Sequence, residues 1–175
     1  DFIYLSKILI LDMNTSVTQE SHKHIQIPIS ELNAKHKDIN GNLLQRLQSE
    51  LEGKCDNYGY IIPGSVSITQ KSAGKLLSVN ACSMVDYEVH YTFQSIRPCP
   101  GDTYTCKIDS RSKMGMIAYL HESSSLSESP ILFIIPQPFL GDTDDPLVGN
   151  TIQVEVVESR IKYKNTQIQA VCKPA

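Results

Sequence analysis

The sequence predicts an α+β chain in two domains, an α+β domain over residues 1–97 and a small closed β-barrel over residues 98–175. Three observations carry this. A leucine stripe of helical spacing, Leu43, Leu44, Leu47 and Leu51, stands among runs that otherwise read as strands. Five short segments rich in β-branched and aromatic residues follow Asp102. Between the halves, Arg97-Pro98-Cys99-Pro100-Gly101-Asp102 sets two prolines and a glycine close together, and no regular element continues through them.

The first predicted strands are Phe2–Leu11 and Ile25–Ile29, joined by a polar stretch rich in Thr, Ser and His. In the second, Ile25, Ile27 and Ile29 alternate as in a half-buried strand, and Pro28 suits an edge strand or a strand end. The leucine stripe then predicts a helix from Asn42 to Glu52, its apolar side a core face, with Gly53 as the stop. From Tyr58 the pattern turns to strands: Tyr58–Ile62, Ser65–Thr69, Lys75–Asn80 and Tyr87–Ile96. After the proline-rich break come Thr103–Ile108, Met114–Leu120, Ile131–Ile135, Thr151–Lys162 and Thr166–Cys172. Five such strands predict a five-stranded OB-fold β-barrel, whose second and third strands and loops 1–2 and 4–5 form the usual nucleic-acid face. Gly115 marks a bend or a close backbone approach, and Phe133 reads as core.

Composition is globular, with 41% apolar and 20% charged residues. The net charge of −3 excludes a protein that coats nucleic acid by charge alone, so any RNA contact has to be local. The run Phe2–Leu11 is too short and too interrupted to span a membrane, and it lacks the basic lead of a secretory signal. The expectation is an intracellular protein. Five cysteines without a C-x-x-C pair read as reduced thiols. Zinc on Cys99, Cys106 or His22-Lys23-His24 is the sharper alternative, but paired close-spaced ligands are missing, so neither metal nor cofactor is expected. Asp142, Asp144 and Asp145 lack the spacing of a calcium loop and read as a solvated turn.

No nucleophile elbow, phosphate loop or H-E-x-x-H motif occurs, and Cys55 and Cys82 have no flanking base. A non-catalytic protein is expected. The candidate RNA contacts are Arg111 and Lys113 in the loop between barrel strands one and two, and Arg160, Lys162, Tyr163 and Lys164 at the end of strand four and its loop. Tyr163 offers a stacking face between cations. Solvated hairpin tips are the alternative. A polar turn with Gly74, between two apolar strands, is the other candidate surface.

Three stretches also resemble a known family. They are Leu51-Glu52-Gly53-Lys54-Cys55-Asp56-Asn57-Tyr58-Gly59-Tyr60-Ile61; Val85-Asp86-Tyr87-Glu88-Val89-His90-Tyr91-Thr92-Phe93 with Arg97-Pro98 and Gly101-Asp102; and Thr151–Lys164 with Ile168-Gln169-Ala170-Val171. In order and spacing they resemble the seventh-subunit family of archaeal, eukaryotic and large-DNA-virus RNA polymerases, over residues 43 to 172. The resemblance implies a non-catalytic stalk subunit of a DNA-directed RNA polymerase. Its N-terminal tip domain would anchor to the core subunits and to a smaller fourth-subunit-like partner. The loop Gln70, Lys71, Ser72, Ala73, Gly74, Lys75 would dock near the polymerase clamp, and the OB barrel would contact nascent single-stranded RNA. Residues 1–24 depart from the family as an N-terminal extension, and its acidic-aromatic ending is absent; the extension and the looseness of the match favour a large-DNA-virus member located in the nucleus, viral factory or virion. A free-standing OB-fold RNA-binding factor in translation or RNA processing is the second expectation.

Overall fold

The computed structural model describes residues 16–34, 38–140 and 147–175. In chain order the elements are β1 (Ser16–Pro28), α1 (Ile29–Ala34), α2 (Ile39–Leu51), β2 (Cys55–Asp56), β3 (Gly59–Ile61), β4 (Ser67–Lys71), β5 (Lys75–Val79), β6 (Cys82–Ile96), β7 (Thr103–Ser112), β8 (Gly115–Leu120), β9 (Ile131–Pro136), β10 (Thr151–Arg160) and β11 (Ile168–Pro174). Single 3₁₀ turns occupy Leu126–Glu128 and Gln137–Phe139. The predicted strand Phe2–Leu11 and the acidic cluster Asp142, Asp144 and Asp145 lie outside the described residues. Two compact units emerge: Val17–Glu52 with Ile61–Ser95, and Gly53–Tyr60 with Ile96–Ala175.

In the first unit, β6 pairs with β1, β4 and β5. Ile25 and Ile27 from β1, Leu43 and Leu47 from α2, and Tyr87, Val89, Tyr91 and Phe93 from β6 form its core with Ile61 and Val66. Leu44 and Leu51 pack against that core from its margin, so the leucine stripe does face inward. β1 is longer than predicted, because the polar stretch from Ser16 onward alternates along the strand and pairs with β6 as well. Pro28 ends the ladder, having no N–H to donate, and Ile29 opens the short α1 instead of closing a strand. Half-buried Arg46 on α2 holds Glu31 of α1 in an ion pair and donates from Nε to Asn42 Oδ1 at 2.9 Å.

β4 and β5 do not pair with each other. Lys71 lies opposite Val89 and Lys75 opposite Asp86, so the two strands follow one another along β6. Residues 72–74 are therefore a connection running beside β6 and not a hairpin turn. Ser72 holds it there: its N–H donates to Glu88 O at 2.9 Å and its hydroxyl accepts from Glu88 N–H at 3.0 Å. Gly74 is required by close approach, since a Cβ would fall 2.4 Å from Val85 Cγ1 and 3.0 Å from the Tyr87 ring. The hairpin lies further on, where Asn80 and Ala81, with φ of 49° and 63°, turn β5 into β6 through the two left-handed positions a type I′ turn needs.

The second unit holds a closed five-stranded barrel in the order β10-β11-β9-β8-β7, with β7 pairing back to β10. All ladders given for it are antiparallel except β9 with β11, which run parallel. This is an OB-like arrangement. Alternate residues fill its interior: Cys106 and Ile108, Met116 and Ala118, Ile131, Phe133 and Ile135, Val154 and Val156, Ile168, Ala170 and Cys172 are all buried. Phe133 is a core residue, its ring centroid 5.5 Å from that of Tyr104. The predicted break is a tight turn in which Asp102 N–H donates to Cys99 O at 3.0 Å and Asp102 Oδ2 accepts from Cys99 N–H at 2.8 Å. Backbone bonds from Gly101 N–H to Val156 O and from Val156 N–H to Asp102 O, both 2.8 Å, stitch that turn to β10.

Candidate nucleic-acid interface

The two predicted basic loops sit at opposite ends of one ladder. β7 and β10 are antiparallel, with Thr103 opposite Glu155. Arg111 lies eight residues past Thr103 in one direction, and Arg160 lies five residues past Glu155 in the other. At ~3.3 Å per residue the path between them approaches 40 Å before barrel curvature shortens it. The sequence named both loops as parts of one nucleic-acid face; the register sets them at opposite ends of the ladder along that barrel wall.

At the first end, Ser112 pairs with Gly115, leaving Lys113 and Met114 as a two-residue loop. Met114 N–H donates to Ser112 Oγ at 3.2 Å, and Met114 O accepts from Gln137 N–H at 3.0 Å, which ties the loop to the 3₁₀ turn after β9. Arg111, Ser112, Lys113 and Gln137 line an open cleft of about 630 Å³. Two of the four lining residues are cationic, and their aliphatic stems cover as much of the cleft as its polar atoms do. Met114 is 84% exposed at its rim.

At the second end, exposed Arg160 closes β10 with its Nε 3.3 Å from Glu158 Oε1. Lys162, Tyr163 and Lys164 form the following loop, with Lys164 Nζ 5.6 Å from the centre of the Tyr163 ring, a cation–π contact. Lys164 takes a left-handed φ of 61°, and Asn165 N–H returns to Lys162 O at 3.0 Å, so the loop is a closed turn. It is also fastened to a distant segment. Lys164 N–H donates to Cys55 O at 2.8 Å, and Cys55 N–H donates to Asn165 O at 2.7 Å. This two-way bridge brings the short hairpin of β2 and β3 to the barrel loop.

The bridge adds residues that sequence reasoning missed. Lys54 precedes Cys55 and is half-buried, while Tyr58 is 45% exposed. Exposed Arg97 lies beside this hairpin, since a Cβ on Gly59 would fall 3.2 Å from Arg97 Cβ. Ser159 Oγ donates to Pro98 O at 2.8 Å, which brings the same stretch against the end of β10. No local motif in the sequence announces these residues, because only the pairing of position 55 with positions 164 and 165 assembles them.

The outer face of barrel strands two and three offers nothing of this kind. β8 and β9 carry no charged residue. Ile117, Ile134 and Val171 form one outward row across β8, β9 and β11, an aliphatic stripe without a cation. The loop Gln70–Lys75 is anchored along β6, and Lys71 Nζ lies 5.7 Å from the Tyr87 ring centre.

Among the described residues, no three His, Cys, Asp or Glu side chains gather as a metal site. Burial pushes the Cys55 thiol up to about 11 and the Cys106 and Cys172 thiols up to about 12, so all three stay protonated near neutrality. Cys82 is exposed at the start of β6. Burial, then Asp102, raises the phenol of Tyr104 well above its ordinary value. No described helix is long and apolar enough to cross a membrane. Fold and site together define a chain ending in a closed OB-like barrel with cations at both ends of one ladder. No protein-family model matches the chain and no curated protein matches its sequence.

Proposed function

We propose that this chain is a non-catalytic stalk subunit of a DNA-directed RNA polymerase that touches nascent RNA through its barrel. The carrying observation is the closed β10-β11-β9-β8-β7 barrel with a cationic, tyrosine-bearing turn between β10 and β11. Cations flanking an exposed ring suit a single strand, because they neutralise phosphates while the ring stacks on a base of any identity. The resemblance of residues 43–172 to the polymerase seventh-subunit family supplies the assembly. In that assembly the N-terminal unit anchors to core subunits and a fourth-subunit-like partner, with the Gln70–Lys75 segment as the docking element. That segment suits docking, since Ser72 and Gly74 fix its path before any partner arrives.

The test is to tag the chain in its source and identify what copurifies by mass spectrometry. Large polymerase chains in stoichiometric yield are expected. RNA without polymerase chains would indicate a free-standing RNA-binding factor. Neither one would overturn both readings.

A further inference from the structure

Resting on the RNA reading above, we infer that the single-strand site is composite: the hairpin Cys55–Ile61 and Arg97 extend the β10–β11 loop, and Tyr58 is a second stacking platform beside Tyr163. The geometry starts from the bridge at Cys55, whose N–H and O bond Asn165 and Lys164 at 2.7 and 2.8 Å. Backbone bonds of that length in both directions hold Lys54 at the root of the basic loop, one residue from the bridge. The hairpin then returns through Tyr58 to Gly59, which abuts Ile96 and Arg97: a Cβ there would fall 2.3 Å from Ile96 O. Arg97 is exposed and continues into Pro98, whose carbonyl accepts from Ser159 next to Arg160. Lys54 and Arg97 therefore join Arg160, Lys162 and Lys164 in one region of one unit, opposed by Asp56 and Glu158.

Two exposed tyrosines lie among these cations, Tyr58 at 45% and Tyr163 at 65% exposure. A single strand uses both, phosphates on the cations and bases on the rings. The occupant is therefore a short stretch of single-stranded RNA, read without sequence preference.

The experiment measures binding of a fluorescein-labelled octauridylate to the full chain across a salt series. Lys54→Ala with Arg97→Ala should reduce the slope of log affinity against log salt by about 1.4, at ~0.7 per phosphate contact. Tyr58→Ala should weaken binding roughly 5- to 150-fold at every salt concentration, the range for a lost base stack, while Tyr58→Phe retains the stack and the affinity. Circular dichroism checks that each variant is folded, and an unfolded Tyr58→Ala leaves the decision to Lys54→Ala with Arg97→Ala. If Arg160, Lys162 and Lys164 to Ala weakens binding but the hairpin and Arg97 variants do not, the composite site is wrong and the RNA reading stands. If none of the variants changes binding, the RNA reading itself fails. Competition by polyglutamate at equal charge concentration would overturn the assignment to RNA in favour of an acidic protein partner.

Discussion

Gly115 fixes where the Arg111–Lys113 hairpin closes, and Gly115→Ala tests that. It opens β8 opposite Ser112 with a φ of 144°, and an added Cβ would sit 2.2 Å from Ile135 O and 3.0 Å from Pro136 Cα. Both neighbours are backbone atoms, so β9 itself has to move. Two costs add. The backbone conformation, sparsely populated by anything but glycine, costs alanine about 1–3 kcal/mol. Parting β8 from β9 costs about 1–3 kcal/mol more, the usual range for overpacking. The expected loss is therefore roughly 2–6 kcal/mol, a large share of a typical domain stability of ~5–15 kcal/mol. Gly101→Ala is the control. Its φ is 94°, but no atom lies within 4 Å of the added Cβ, so only the conformational cost applies. Because two units need not unfold together, the readout is native-state hydrogen exchange of β8 and β9 amides. Gly115→Ala should lower their protection clearly more than Gly101→Ala. Equal losses would refute the reasoning, since the close approach to Ile135 would then contribute nothing.

Leu47→Ala should cost the first unit about 2–5 kcal/mol in urea denaturation, because it empties a fully buried site facing β6. In native protein at pH 8, a thiol reagent should modify exposed Cys82 and Cys99 readily, and Cys55, Cys106 and Cys172 only after denaturant is added. The same thiols set a pH dependence. Their folded values near 11 and 12 exceed the ordinary 9.0, so above pH 9 unfolded chains lose thiol protons that folded chains retain, and stability falls progressively from pH 9 toward 12. An unchanged thermal midpoint between pH 8 and 10.5 would contradict this. Arg111→Ala with Lys113→Ala should leave binding of a tetranucleotide held at the β10–β11 end unchanged, and should flatten the salt slope for an oligonucleotide of about sixteen residues, the upper site size of such a barrel. Equal effects on both lengths would place the two clusters in one site.

The barrel was legible because its signals are local. Alternation along Thr103–Ile108 and Ile131–Ile135 and the lone Gly115 each follow from the pleat of a strand, and five such runs admit few closed arrangements. The helix was legible for the same reason, its four leucines falling on one side. What escaped depends on partners distant in sequence. Whether β4 pairs with β5 or with β6 is set by Tyr87 and Val85 packing on Gly74, contacts that no window around residue 72 contains. The end of β1 turned on one residue, Pro28, which stops a ladder equally well before a helix or a loop. The candidate site divides likewise. Arg160–Lys164 was visible as a cationic loop, but Lys54 and Arg97 carry no signal of their own, and the distance between the two basic loops follows only from the β7–β10 register.

On the proposed function, that register also bears on how a chain of net charge −3 would hold an RNA strand. A barrel that bound along strands two and three would need cations or open rings on their outer surface, yet Ile117 and Ile134 stand there and Tyr119, on the same side of β8, is buried. Cations stand at the two ends of the β7–β10 ladder, and between them lie Lys107, opposite Thr151, and the carboxylates of Glu155 and Glu158, ion-paired with Lys173 and Arg160. Screening over about 8 Å at physiological salt keeps these regions electrically separate, so each end acts on a strand with its own local sign and not with the average of the chain. On the RNA reading, a strand engaged at the β10–β11 end crosses this charge-balanced stretch before it reaches Arg111. Binding at one end therefore lends little to the other, and affinity should grow in two steps with RNA length. On that reading the aliphatic row on β8, β9 and β11 lies outside the RNA path.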